Sequence, residues 1–242
     1  MKDLYKDISK VYKQTETKKI LLIPALKRAL KTNSRKTKLE LIDIGCGTGD
    51  FFKLARGLGY HYHGIDISRS MLAVAKTKHH LADFRELSGT NFKDEYKTRF
   101  DAVLINLVLQ DLNLKVIKDI LMETKKCLNK NGRVVVGIHH PILDHYMRFG
   151  LFGKSNIKTK FKGYFSSGQK YIISYKYDNR KPVDFICYHR TLQDFLKIFI
   201  DVGFRITSID ECRPMKISKN VSLRKILEKS NYPTYMVITL QN

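Results

Sequence analysis

Leu41-Ile42-Asp43-Ile44 runs directly into Gly45-Cys46-Gly47-Thr48-Gly49-Asp50, so an apolar strand has to open into a turn punctuated by three glycines. Residues without Cβ reach positive φ and let bare backbone approach a ligand, which ties this turn to binding. The glycines are spaced G-x-G-x-G, whereas a dinucleotide loop spaces them G-x-G-x-x-G and aims a helix N-terminus at a pyrophosphate. Asp50 stands just where a phosphate would dock. A carboxylate there repels an anion and suits a ligand that carries positive charge.

The residues that follow keep a regular order. A second short apolar strand, Tyr62-His63-Gly64-Ile65, ends in Asp66, where an acid at a strand's C-terminal edge can grip both hydroxyls of a ribose. Asp83 follows the next helix beside Phe84, and Phe100-Asp101-Ala102-Val103-Leu104-Ile105-Asn106 reads as a further strand. In this order the stretch 38–140 resembles the class I S-adenosylmethionine-dependent methyltransferases.

That resemblance implies an α/β fold, a doubly wound, mostly parallel sheet of seven strands, here with a β-rich cap insertion. It also implies S-adenosylmethionine as cofactor. Gly45, Cys46, Gly47 and Gly49 would line its methionine portion, with Asp43 supporting the ammonium group. Asp66 would take the ribose, Ile67 and Met71 would flank the adenine, Asp83 would meet the adenine amino group and Phe84 would cover a ring edge. Asn106 and Leu107 would close the methionine side.

At 242 residues the chain suits one doubly wound domain with an insertion better than two independent cores. The expected divisions are an N-terminal helical extension (1–37), the cofactor-binding core (38–140), a cap (141–188) and a C-terminal completion of the sheet (189–242). No apolar run reaches the ~18 residues of a membrane-spanning helix, and the first residues lack the apolar stretch of a secretory signal. Cys46, Cys127, Cys187 and Cys212 are far apart and form no C-x-x-C pair, so no metal site and no disulfide framework is expected. A reducing, cytoplasmic setting fits.

The formal net charge of +22 is carried mainly by lysine, 32 Lys to 13 Arg, whereas dedicated phosphate readers favour the arginine fork. A small-molecule partner is therefore preferred to nucleic acid. Oligomeric state is not legible.

Along the chain, 1–37 reads as helical with a fresh start at Pro24, and Tyr12 is a candidate substrate contact. Helices are expected over 50–58, 70–78, 114–128 and 191–201, the third stopping at Asn131-Gly132. Strands are expected over 133–138, 204–209 and 235–240. Between Pro141 and His189 the alternation stops, and two-residue periods around Lys158, Lys160 and Lys162, and around Tyr171, Ile173, Tyr175 and Tyr177, predict cap strands with one aromatic face and one basic face. Tyr171, Tyr175 and Tyr177 are candidate substrate contacts.

His139-His140-Pro141, together with Tyr188-His189-Arg190-Thr191, resembles the small-metabolite subset of the same superfamily. His139, His140 and His189 are the candidate catalytic residues, since an amine or hydroxyl that accepts a methyl group sheds a proton. Asn106-Leu107-Val108-Leu109 is not the Asn/Asp-Pro-Pro-aromatic motif of amino-methylating nucleic-acid enzymes. The leading expectation is methyl transfer to oxygen or nitrogen of a small molecule. An RNA methyltransferase and a non-catalytic cofactor-binding protein are the alternatives.

Overall fold

The computed structural model describes residues 5, 6, 9, 15–34, 36–143, 162–175, 182–213 and 233–242. A π-turn over Lys18–Leu22 passes straight into helix α1 (Ile23–Leu30). Pro24 sits in the first turn of α1, where a helix start was expected and where it needs no N–H partner, and the wider turn leads into it without a break. Then follow β1 (Leu39–Ile44), α2 (Phe52–Gly57), β2 (Tyr60–Asp66), α3 (Arg69–Lys78), β3 (Asp83–Glu86) and β4 (Phe100–Asn106). The chain continues through a 3-10 turn (Leu109–Asp111), α4 (Leu114–Cys127), β5 (Leu128–His139), β6 (Lys170–Tyr175), β7 (Val183–Tyr188), α5 (Leu192–Asp201), β8 (Arg205–Glu211) and β9 (Tyr235–Gln241).

Seven strands form one sheet in the order β3-β2-β1-β4-β5-β9-β8, and β9 alone runs antiparallel to its neighbours. All six residues of β1 are buried, as expected of a strand covered on both faces. Leu22, Leu26, Ala55, Leu72 and Ala75 close one face of the sheet with α1, α2 and α3. Ile117, Leu121, Phe195 and Phe199 close the other with α4 and α5. Because β1 pairs with β2 on one side and β4 on the other, the order reverses at the C-terminal end of β1. Open α/β sheets bind ligands in that crevice.

One expected helix stop is a strand irregularity instead. Helix α4 ends at Cys127, and Asn131-Gly132 lies within β5, where the pairing jumps from Phe100 opposite Leu128 to Ala102 opposite Arg133. A Cβ on Gly132 would lie 2.8 Å from the Leu128 side chain and 2.9 Å from the Phe100 carbonyl, so packing of the bulge requires the glycine.

The cap's described part is a two-stranded hairpin, β6 against β7. Its inner face buries Tyr171, Ile173 and Cys187. The outward face carries exposed Lys170, the pair Ile172 and Ile186, and Ser174 opposite Asp184, so the expected basic face is mixed over this stretch. Lys158, Lys160, Tyr12 and Tyr177 lie outside the described residues.

Candidate active site

The glycine turn at the end of β1 is built as its sequence demands: Gly45, Gly47 and Gly49 adopt φ of 74°, 53° and 72°. The Gly45 and Cys46 amides both donate to the Ile65 carbonyl, at 2.8 and 3.0 Å, which folds the turn back onto the end of β2. There Asp66 takes over. One carboxylate oxygen accepts from the Gly47 amide and the other from the Ser68 amide, each at 2.8 Å, so the acid is aimed before any ligand arrives. Ile67, next in sequence, is 61% exposed, an apolar side chain left uncovered beside an anchored acid. Met71 is buried and lies against Gly47.

Asp43 is 1% exposed and accepts from the Tyr62 hydroxyl at 2.8 Å. Burial pushes its pKa up to about 7; the Tyr62 bond opposes this, and the neighbouring Asp66 and Asp50 charges add to it. Such a group ionises readily when a cation comes near. Asp50 accepts from the Thr48 hydroxyl at 2.9 Å.

The other wall is the turn after β4. Leu107 holds a φ of 55°, uncommon for a residue with a side chain, and its amide donates to the Gly137 carbonyl at 2.7 Å. A Cβ on Gly45 would lie 2.5 Å from Val108, so glycine loop and post-β4 turn meet at a separation that only glycine allows. Asn106 Oδ1 is buried beside Gly137 and has no hydrogen-bond partner among the described residues. An acceptor in that state is ready for a ligand's donor.

Two expected contacts are displaced by the sheet's register. Asp83 begins β3 opposite His63, three residues short of Asp66, so it faces roughly 10 Å of strand away from the ligand edge. It is bound there by His63 at 2.9 Å and by Arg85 at 3.0 Å. Phe84 is 5% exposed and lies beneath the glycine loop, 2.7 Å from where a Cβ on Gly49 or Gly64 would stand. It packs under the loop, in place of the expected ring-edge contact with adenine. The edge position instead belongs to Glu86, opposite Asp66, with Arg69 donating to it at 2.8 Å.

The three histidines serve different places. His140 is buried; its Nδ1 accepts from the Ile142 amide at 3.3 Å, which leaves Nε2–H to donate to Glu211 at 3.1 Å. Burial lowers its pKa against the pull of Glu211. His189 is fully buried, with Nε2 2.6 Å from the Tyr164 carbonyl, and its own backbone pairs with Gly168 and Gln169. His139 is only partly buried, its ring tilted against Tyr235 at 5.4 Å.

Further residues stand beside this turn, of which sequence reading passed over Asp111 and Lys18. Asp111, in the turn after β4, accepts from the Cys187 thiol of the cap at 3.4 Å, and burial raises its pKa to about 7 against that bond and the Lys18 charge. Lys18 stands in the field of both Asp50 and Asp111, with its own pKa lowered by burial. Arg190 is 4% exposed and donates to the carbonyls of Leu109 at 3.3 Å and Leu112 at 2.6 Å. Thr191 caps α5 in a reciprocal pair with Asp194. The acid in Leu109-Gln110-Asp111-Leu112, flanked by leucines straight after a strand, was the available signal; Lys18 offered none. Tyr171 lies on the cap's inner face, and of Tyr175 only its place in β6 opposite Val183 is described.

Residues 42–134 match a family described as a methyltransferase domain. The chain is 32% identical over 123 residues to the ubiquinone biosynthesis O-methyltransferase of Pelagibacter ubique, a match covering 49% of each. It spans 49% and 57% of the two curated relatives it matches, about half their length. Its fold is that of a solved S-adenosylmethionine-dependent methyltransferase of Mesorhizobium loti, with TM-score 0.64, 21% identity and 90% and 96% of the two chains covered. It is likewise that of DhpI, solved with SAM and HEP, with TM-score 0.62, 14% identity and 98% and 94% covered. The sheet order and these matches give the chain the fold of the solved S-adenosylmethionine-dependent methyltransferases, with a methyltransferase-domain match over residues 42–134.

Proposed function

We propose that this protein transfers a methyl group from S-adenosylmethionine to an oxygen or nitrogen of a small-molecule acceptor. The observation that carries this reading is the cap hairpin: its apolar inner face lies by the post-β4 turn and bonds Asp111 through Cys187, a position from which it would exclude water at the ligand edge. The curated relative from Pelagibacter, named as an O-methyltransferase, supports an oxygen acceptor.

The residues present fit the donor. Three acids, the glycine turn, the exposed Ile67 and the Asn106 oxygen together offer sites for positive charge, ribose and an apolar ring. When bound, the donor supplies a methyl group on a positively charged sulfur. Asp43 and Asp50 would provide negative charge toward its cationic end, Asp66 would accept from the ribose hydroxyls, and Ile67 and Met71 would flank the base. Transfer of that group would leave a neutral thioether as the leaving group and would require the acceptor to release a proton. Asp111, with a pKa near 7, takes that proton, and Lys18 stabilises the carboxylate before the transfer. His140 and His189 orient the walls through the bonds they already make, and His139 faces the end of β5.

Lysine-rich composition keeps an RNA acceptor as a second reading. Incubating extract with the protein and methyl-labelled donor, then counting small metabolites and RNA separately, tests both. Label confined to the metabolite fraction is the expected result. Label in RNA, with binding that survives physiological salt, replaces the first reading with the second.

A further inference from the structure

We propose that Glu40, His61 and His63 form a binding site for a divalent transition-metal cation, at the end of the sheet opposite the methyl-transfer site. His61 and His63 lie two apart on β2 and so project from one face, and Glu40 of β1 is paired directly with His61. Glu40 Oε2 lies 2.8 Å from His61 Nδ1 and 2.9 Å from His63 Nε2. All three atoms lie within 4.8 Å of one another. Two metal bonds of about 2.0–2.1 Å at right angles span about 2.9 Å, whereas a tetrahedral pair spans about 3.4 Å. The oxygen–nitrogen separations already match the right-angled pair. Two imidazoles and one carboxylate favour Ni2+, Cu2+, Co2+ or Zn2+ over Mg2+ or Ca2+.

The surroundings are those of a supported ligand set. His63 Nδ1 lies 2.9 Å from Asp83 Oδ2, which commits that nitrogen to the carboxylate and leaves Nε2 turned toward Glu40. Asp83 is held in turn by Arg85 Nε at 3.0 and 3.1 Å. Tyr96 and Phe100 pack edge-on against the His63 ring at 5.2 and 5.5 Å and fix its plane. The His61 side chain is 44% exposed and gives access from solvent, while His63 and Glu40 are 9% and 10% exposed. Lys38 is the opposing charge: its ammonium lies 2.9 Å from Glu40 Oε1, the carboxylate oxygen that the imidazoles do not share, on a side chain 70% exposed. A bound cation would replace the two histidine–Glu40 hydrogen bonds and fasten β1 to β2.

The test uses the full chain, stripped with chelator, checked by circular dichroism and titrated calorimetrically with NiCl2 and then ZnCl2. One equivalent should bind at submillimolar or lower concentration, Ni2+ more tightly than Zn2+, with an upward shift in melting temperature. His61→Ala, at an exposed position, should weaken binding by about tenfold or more and abolish the thermal shift. Glu40→Gln should do the same while keeping an acceptor oxygen, and Lys38→Ala should tighten binding. His79→Ala/His80→Ala, a histidine pair elsewhere on the chain, should leave the titration unchanged. Absence of saturable binding, or an unchanged titration in His61→Ala, overturns the proposal.

Discussion

Arg190 donates to the Leu112 carbonyl at 2.6 Å across 78 positions of sequence. A second bond, to the Leu109 carbonyl, brackets the turn that holds Gln110 and Asp111, and Arg190 belongs to the segment that links the cap to α5. One buried guanidinium thereby fixes cap and post-β4 turn in a single arrangement.

Replacing Arg190 with Lys leaves one charge but no fork to reach two carbonyls, so the turn loosens. The acceptor's KM should rise about tenfold, donor affinity should stay within about twofold, and the fold should lose ~1.5–3 kcal/mol. Steady-state kinetics alongside donor calorimetry separate these effects. Equal losses for donor and acceptor would show that Arg190 supports the whole domain.

The rate should depend on Asp111 through pH. A carboxyl raised to about 7 is protonated below that value and accepts no proton, so kcat/KM should rise with pH through about 7 and level off above it. In Asp111→Asn this limb should vanish and turnover should fall by roughly 10²–10⁴. A persisting limb in the variant would assign the proton to another group.

Asp66→Ala removes two accepted amide bonds and, with them, the proposed ribose acceptor. Donor affinity should drop by about 10- to 100-fold, since a charged hydrogen bond contributes ~1.5–3 kcal/mol. Titration with S-adenosylhomocysteine measures it, and an unchanged constant would remove Asp66 from the donor site.

Gly64 is required by its neighbours. A Cβ there would stand 2.7 Å from the Phe84 ring and 2.9 Å from the Cys46 sulfur. Gly64→Ala should cost about 1–3 kcal/mol in urea unfolding, and adding Phe84→Leu should restore part of it. Simple additivity of the two changes would deny the contact.

Stability should fall as pH rises on account of Asp43. Its folded pKa, about 7, lies above the ordinary 3.8, so the folded chain holds a proton that the unfolded chain has lost between those values. The stabilisation present at low pH is lost progressively up to about pH 7, by at most ~1.4 kcal/mol for each pH step of one. Asp43→Asn keeps an acceptor for Tyr62 and should flatten the curve. Thermal melts between about pH 5 and pH 8 decide it.

Strand patterns and glycine punctuation made the sheet readable, because β4 and β9 are covered on both faces and so are largely apolar. Loop chemistry at Gly45–Gly49 and Asp66 was equally local. Asp83 misled because adjacency in sequence does not report register: whether an acid stands at the start or end of a four-residue strand depends on pairing with His63. Asp111, Lys18 and Arg190 were obscured for a related reason. Each acts on residues distant in sequence, and a lysine within a lysine-rich segment gives no sign that it is the one turned inward.

Helix α1 is tied down by the Tyr60 hydroxyl on the Leu30 carbonyl, by Arg133 on Ala29 and by Arg28 on Asp210, and it packs on both β5 and β9. Strand β9 is inserted between β5 and β8, so the residues made last among those described sit inside the sheet. A chain emerging from the ribosome therefore carries α1 before β9, a strand it packs against, has been made. Nascent chains arrested before residue 233 should be cut by protease within residues 18–30, and released full-length chains should not.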